Sequence, residues 1–256
     1  MSRTTLLLLP LLLLAACVTS TTSDRTVDKK GAAKANVDLG VAYMQQGNLQ
    51  TAKDKLERAE KQDPKNPEVY WVKASLYERM NMPRDADRSY QRAMELAPAN
   101  SNIVNTYAVF LCRQGEIDRA LPMFDKVIAD KLYQTPYAAA ANAGMCLRDQ
   151  KRGADAKRYF ESAVQMGPGF TDGVIGLGDL QINQGDPAGA MHTVDTFLRT
   201  GTRSADVLVM GVRAAVAQRD CNAAQRYAVL LRAQFQNAAQ TTSLPQLMGS
   251  CSSLSR

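Results

Sequence analysis

Side chains that attack, ligate or trade protons are sparse in this 256-residue chain. His192 is the single histidine, so a Ser-His-Asp or Cys-His nucleophile would have to pass through it. It follows Ala190-Met191 in an apolar-patterned segment, where an imidazole at a surface or between helices is the ordinary reading. There is no Walker loop, no G-x-G-x-x-G behind a strand and no H-E-x-x-H. Asp85 and Asp87 are flanked by Arg84 and Arg88, the pattern of a solvated ion-pair face. The expectation is a protein with no catalytic residues, no cofactor and no metal; a hydrolase would need a nucleophile and base that cannot be placed.

The elements that would position any site belong to a folded chain, since 45% hydrophobic and 22% charged residues suit a sizeable core. The net charge of +6 is spread: bases alternate with acids, as in Lys53-Asp54-Lys55-Leu56-Glu57-Arg58. No element concentrates Lys and Arg with aromatic residues between them, so neither nucleic acid nor a small-molecule substrate is expected as a partner.

Arg3 followed by the apolar run Leu6 to Leu14, broken only by Pro10, reads as an export signal over residues 1–16. The run is too short to span a bilayer, which takes about 20 apolar residues. Leu14-Ala15-Ala16-Cys17 resembles the lipobox of bacterial lipoproteins, which implies cleavage before Cys17 and lipidation there; an ordinary secretory signal cut after Ala16 is the alternative. Two or more acyl chains suffice for stable anchoring. Val18 rather than Asp after the cysteine implies the outer membrane, facing the periplasm. Residues 17–31, rich in Thr, Ser, Asp and Lys, are expected to form a lipidated flexible tether.

A regular period begins after the tether. Leu39-Gly40, Tyr43, Gly47, Ala52, Leu56, Ala59 and Pro64 are followed by Tyr70, Ala74, Tyr77, Ala86, Tyr90, Ala93 and Pro98. The period and the offsets within it resemble the tetratricopeptide pattern, in which each unit of about 34 residues is a helical hairpin. Small residues such as Gly40, Ala74 and Ala52 let the paired helices approach, Tyr43 and Leu56 fill the space between them, and the proline ends the second helix. The third unit (Ala108, Leu111, Gly115, Ala120, Phe124) runs two residues long before Pro136, an insertion expected to bulge a loop. Gly144, Leu147, Ala156, Phe160, Ala163 and Pro168 mark the fourth, and Leu177-Gly178, Gly185, Ala190 and Val194 the fifth. The sixth carries Val212, Ala215, Ala224 and Ala228. The expected fold is all-α, a superhelix of about six hairpins over 32–238, with a mostly irregular tail at 239–256. Stacked hairpins leave a concave groove lined by the first helix of each unit.

With Cys17 assigned to lipid, Cys112, Cys146, Cys221 and Cys251 remain, and none shows the close C-x2-C pairing of a zinc site. An oxidising periplasm invites disulfides. Cys112 and Cys146, one period apart, fall on the first helices of adjacent units, so a bridge is expected there, two buried thiols being the alternative. A second bridge, Cys221 with Cys251, would tie the tail to the last hairpin.

Val37, Val41 and Met44 follow helical spacing on a face different from Leu39, Gly40 and Tyr43, and Trp71 holds in unit two the place of Val37 in unit one. These four are expected to form an apolar partner-binding patch at the amino-terminal end of the groove. The alternative is that Trp71 and Val37 pack against one another or against the preceding segment.

The run Asn105-Thr106-Tyr107-Ala108-Val109-Phe110-Leu111-Cys112-Arg113-Gln114-Gly115, with Tyr133-Gln134-Thr135-Pro136 and Asn142-Ala143-Gly144-Met145-Cys146, resembles the type IV pilus biogenesis lipoprotein family known as PilF or PilW. The resemblance covers nearly the whole mature chain, departing at Thr106, where a second Asn is commoner, and in a longer tail ending past Cys251. It implies a pilotin, an outer-membrane lipoprotein that binds the pilus secretin and promotes its localisation and multimerisation. The runner-up is a lipoprotein scaffold of another envelope assembly, such as outer-membrane barrel insertion or cell-wall synthesis.

Overall fold

A computed structural model describes residues 28–249 and residue 251; the proposed signal and residues 17–27 of the tether, Cys17 included, lie outside the described residues. Among the described residues twelve helices form six hairpins. They are α1 (Lys29–Gln45) with α2 (Leu49–Gln62), α3 (Pro67–Arg79) with α4 (Pro83–Leu96), and α5 (Ser101–Arg113) with α6 (Ile117–Ile128). Then come α7 (Pro136–Asp149) with α8 (Gly153–Met166), α9 (Thr171–Asn183) with α10 (Pro187–Arg199), and α11 (Ala205–Ala217) with α12 (Cys221–Gln234). Two short helices follow, α13 (Ala239–Thr242) and α14 (Leu244–Met248). The described residues contain no strand.

Local chemistry sets the helix ends. Asn66 and Asn100 accept from backbone amides at the starts of α3 and α5, and Asp186, Ser204 and Asp220 do so for α10, α11 and α12. Within each hairpin the chain turns through one residue of positive φ: Gly47, Asn81, Gly115, Lys151, Gly185 and Arg219. Successive members are one period apart except Gly115 and Lys151, which are two further, so the two inserted residues fall between those turns. The next amide in each turn reaches back across the helix end, as in Asn48 N to Tyr43 O (2.9 Å) and Arg152 N to Leu147 O (2.8 Å). The insertion emerges as a seven-residue connector, 129–135, where the connectors at 63–66, 97–100 and 167–170 have four.

The core runs along the stack as linked clusters. In the first, fourth and sixth hairpins a glycine on the first helix faces a larger residue on the second, Leu56, Phe160 and Tyr227. A Cβ on Gly40 would lie 2.8 Å from Leu56 Cγ, and one on Gly144 2.7 Å from Phe160 Cδ1. Glycine is required at these two contacts because the helix backbone itself is the packing surface.

Two boundaries differ from the sequence expectation. Helix α1 starts at Lys29, capped by the Asp28 carboxylate, so the last residues assigned to the tether are helical. The tail is not mostly irregular over its described part: α14 buries Leu244 and Met248, and with Cys251 they join the core built by Val207, Leu208 and Val212. The repeat register continues into this segment, since Gln240 Nε2 donates to Asp206 Oδ1, one period earlier, at 2.8 Å. The tail is half of a seventh unit, and it covers the apolar flank of α11 that a further hairpin would otherwise cover.

Candidate partner-binding surface

The proposed patch does not assemble as a groove surface. Val37 is 1% exposed and Met44 7%, and both lie in a core with Leu56, Ala59, Val69 and Leu76. The reason is that α1 packs on α3 as well as on α2, so the side of α1 turned toward the next unit is sealed. Val41 is half-buried. Trp71 is also half-buried, packed onto clusters that contain Tyr90, Tyr107 and Ile103, and it does not share the cluster of Val37.

The uncovered apolar surface of the first unit lies on another face. Ala32, Ala35, Leu39 and Ala42 follow one another at three- and four-residue steps along α1, and Leu39 is 44% exposed. In later units the residue equivalent to Leu39 meets the second helix of the preceding hairpin. Lys73 pairs with Glu60 of α2, and Tyr107, 2% exposed, bonds Asp87 of α4. Ala143 and Leu177 in the same place are buried. Leu39 has no preceding hairpin among the described residues. That signal was present in the sequence: the first copy of a repeat keeps the residue that its neighbours bury.

In the middle of the stack, Asn142 Nδ2 on α7 donates to Asn105 Oδ1 on α5 at 3.3 Å, with half-buried Val109 and Met145 beside them. Cys112 and Cys146 form a disulfide with Cα atoms 5.7 Å apart. They do not hold equivalent places: across the insertion, equivalent residues are separated by one period plus two, so Cys146 stands two positions earlier in its unit than Cys112. Cys221 and Cys251 form a second disulfide, Cα atoms 5.1 Å apart, from the start of α12 to the last described residue of the tail. Arg113 pairs with Glu78, and Arg213 with Asp179 at 2.7 Å, joining successive first helices.

The perturbed ionisable groups are structural. Tyr107 donates to Asp87 (2.6 Å), Tyr159 to Asp125 (2.7 Å) and Tyr227 to Asp195 (2.7 Å), each joining one hairpin to the next. Burial, and then the neighbouring carboxylate, push these three hydroxyls up to about 12, and the same causes raise Tyr90, which donates to Glu78 within its hairpin. Such phenols stay protonated at neutral pH and act as donors that pin the stack. His192 is exposed on α10. Among the described residues no group of three or more His, Cys, Asp or Glu is arranged to hold a metal ion.

Models of the tetratricopeptide repeat match residues 33–66, 67–100, 111–169 and 147–208. The type IV pilus assembly protein PilF of Pseudomonas aeruginosa is 28% identical over 222 residues, covering 86% of this chain and 88% of that protein. An uncharacterized protein of Haemophilus influenzae is 29% identical over 131 residues, 51% of this chain and 72% of its own. Among solved structures, PilW, described as a widely conserved type IV pilus biogenesis factor, superposes with a TM-score of 0.63 at 28% identity, covering 83% of this chain and 97% of PilW. The structure of Pseudomonas aeruginosa PilF gives 0.64 at 25% identity, covering 85% of this chain and 98% of that one.

Proposed function

We propose, given that this chain belongs to the PilF/PilW-like family of tetratricopeptide-repeat proteins, that it is a pilotin: an outer-membrane lipoprotein, anchored through Cys17 and facing the periplasm, that binds the type IV pilus secretin and promotes its localisation and multimerisation. It works by holding its partner and tethering it to the membrane, without covalent chemistry. The observation that carries the reading is the uncovered face of α1 around Leu39. The stack contains its own template for what fits there, because equivalent faces on later first helices each receive an amphipathic second helix. A secretin segment of that kind would add one more helix to the end of the stack. Burying the remaining exposure of Leu39 contributes about 1 kcal/mol, and the alanines beside it allow close approach.

The test is capture of the secretin by the full lipidated chain and by Leu39→Asp. The variant is expected to fold as the parent does and to lose at least tenfold in capture, with secretin multimers depleted in cells that carry it. A parent chain that captures no secretin sinks the pilotin reading. Undiminished capture by Leu39→Asp sinks the end-face reading alone.

A further inference from the structure

A single exposed leucine is ordinary on a protein surface, but Leu132 differs in degree, support and place. It is 86% exposed, against 51% for Val229, 44% for Leu39 and 38% for Met166, the other large apolar residues exposed among those described. It sits in the connector 129–135, where the two extra residues of the third unit fall. The backbone there is held. Asp130 Oδ1 accepts from the Leu132 amide at 2.9 Å, the Asp130 carboxylate also accepts from the Ser101 hydroxyl, and the Leu132 carbonyl accepts from Gln134 Nε2 at 3.2 Å. The loop is ordered before it meets anything, so presenting the side chain costs little further entropy.

Place supplies the partner. Short connectors make successive helices antiparallel, so the first helices of all hairpins run parallel, as bonds between residues one repeat apart attest, Arg213 to Asp179 and Gln240 to Asp206. The connectors between hairpins and the amino-terminal end of α1 therefore share one edge of the stack. Ten residues, 18–27, separate Cys17 from Asp28, a reach of about 35 Å at most. Helix α7 is three first-helix steps from α1, about 25–30 Å at 8–10 Å per step. An anchor at Cys17 thus keeps this edge within reach of the bilayer. Lys65, Lys131 and Arg203 are exposed on connectors of the same edge, while the acids Asp63 and Asp130 on those connectors are half-buried, so the outermost charges there suit anionic headgroups.

We infer that connector 129–135 is a membrane-contact loop: Leu132 enters the boundary between headgroups and acyl chains of an anionic phospholipid surface, and Lys131 faces the phosphates. The stack then lies with its connector edge on the membrane, which holds the end face of α1 at a constant height and orientation for its partner. This rests on the lipid anchor of the proposed function.

The test reconstitutes the full lipidated chain in vesicles of phosphatidylethanolamine and phosphatidylglycerol, with Leu132→Trp in a Trp71→Phe background and lipids brominated near the top of the acyl chain. The introduced indole is expected to be quenched at least twofold, with a blue-shifted emission. In the unmodified chain, amide exchange in 129–135 should slow several-fold on vesicles while the opposite-edge turns at Gly47 and Gly115 stay unchanged. Protein that floats with vesicles but shows neither change overturns the inference. So does loss of secretin capture in Leu132→Asp without quenching in the tryptophan variant, which would make the loop a protein contact. Protein that fails to float overturns the anchor, and the inference with it.

Discussion

Gly176→Ala should destabilise the native chain and stabilise one that lacks Phe160. The Phe160 ring, fully buried on α8, is wedged between α7 and α9. A Cβ built on Gly176 would stand 2.2 Å from Phe160 Cε1, and one on Gly144 2.7 Å from Cδ1. Ordinary contact requires more than an ångström of additional space, and the ring cannot retreat because Gly144 closes the other side. Overpacking of this kind costs about 1–3 kcal/mol. Alanine in place of a helical glycine gains about 1 kcal/mol in propensity, so the net loss should be up to about 2 kcal/mol. Phe160→Ala alone should cost about 3–5 kcal/mol. In that background the clash is gone and the new methyl partly refills the cavity, so Gly176→Ala should return about 1 kcal/mol or more. The two substitutions therefore couple by about 1–3 kcal/mol, beyond the roughly 0.5 kcal/mol within which distant sites add. Urea unfolding of the four chains, followed by helical circular dichroism and compared through midpoints at unchanged slope, measures the cycle. Gly176→Ala stabilising the native chain, or the two effects adding within the margin of independent sites, would refute the wedge.

Cys251→Ala should free the half unit at the end of the stack. The loop closed by its disulfide predicts a loss of about 3–4 kcal/mol, and hydrogen exchange should show faster amides first in 239–249 and then on α11. Lys151→Gly should stabilise by about 1 kcal/mol, since lysine at φ 61° holds a left-handed place that glycine fills in three of the other five hairpin turns; thermal unfolding checks it, and no gain would mean that the Lys151 side chain compensates. Alkaline titration should loosen the stack. The hydroxyls of Tyr107, Tyr159 and Tyr227 titrate near 12 when folded and near 10 when unfolded, so their contribution is complete below pH 10 and is lost as pH rises from 10 through about 12. Phenolate absorbance in the near ultraviolet should rise together with loss of helix in that window, and Tyr159→Phe should move the loss to higher pH.

The repeats were legible because their signal is local. Each hairpin closes within a single period, so Gly40 against Leu56 and the left-handed turn at Gly47 leave their types at fixed offsets, and even the two-residue insertion showed as a break in that period. The same helical spacing separated Val37 and Met44 from Leu39, since a helix fixes the angle between side chains. It could not say which face a neighbour would cover. That depends on α1 lying against α3 as well as α2, a contact between units, and it turned the expected partner surface into core and left Leu39 outside. The Thr, Ser and Pro content of the tail from Gln240 points to irregular structure; only packing on α11 gives Leu244 and Met248 something to bury against. The cysteines mark the limit in the same way. A spacing of one period suggested the bridge between Cys112 and Cys146, but that the two meet across inequivalent positions is decided by how the insertion lets α5 and α7 stack, a property of the assembled superhelix and of no single segment.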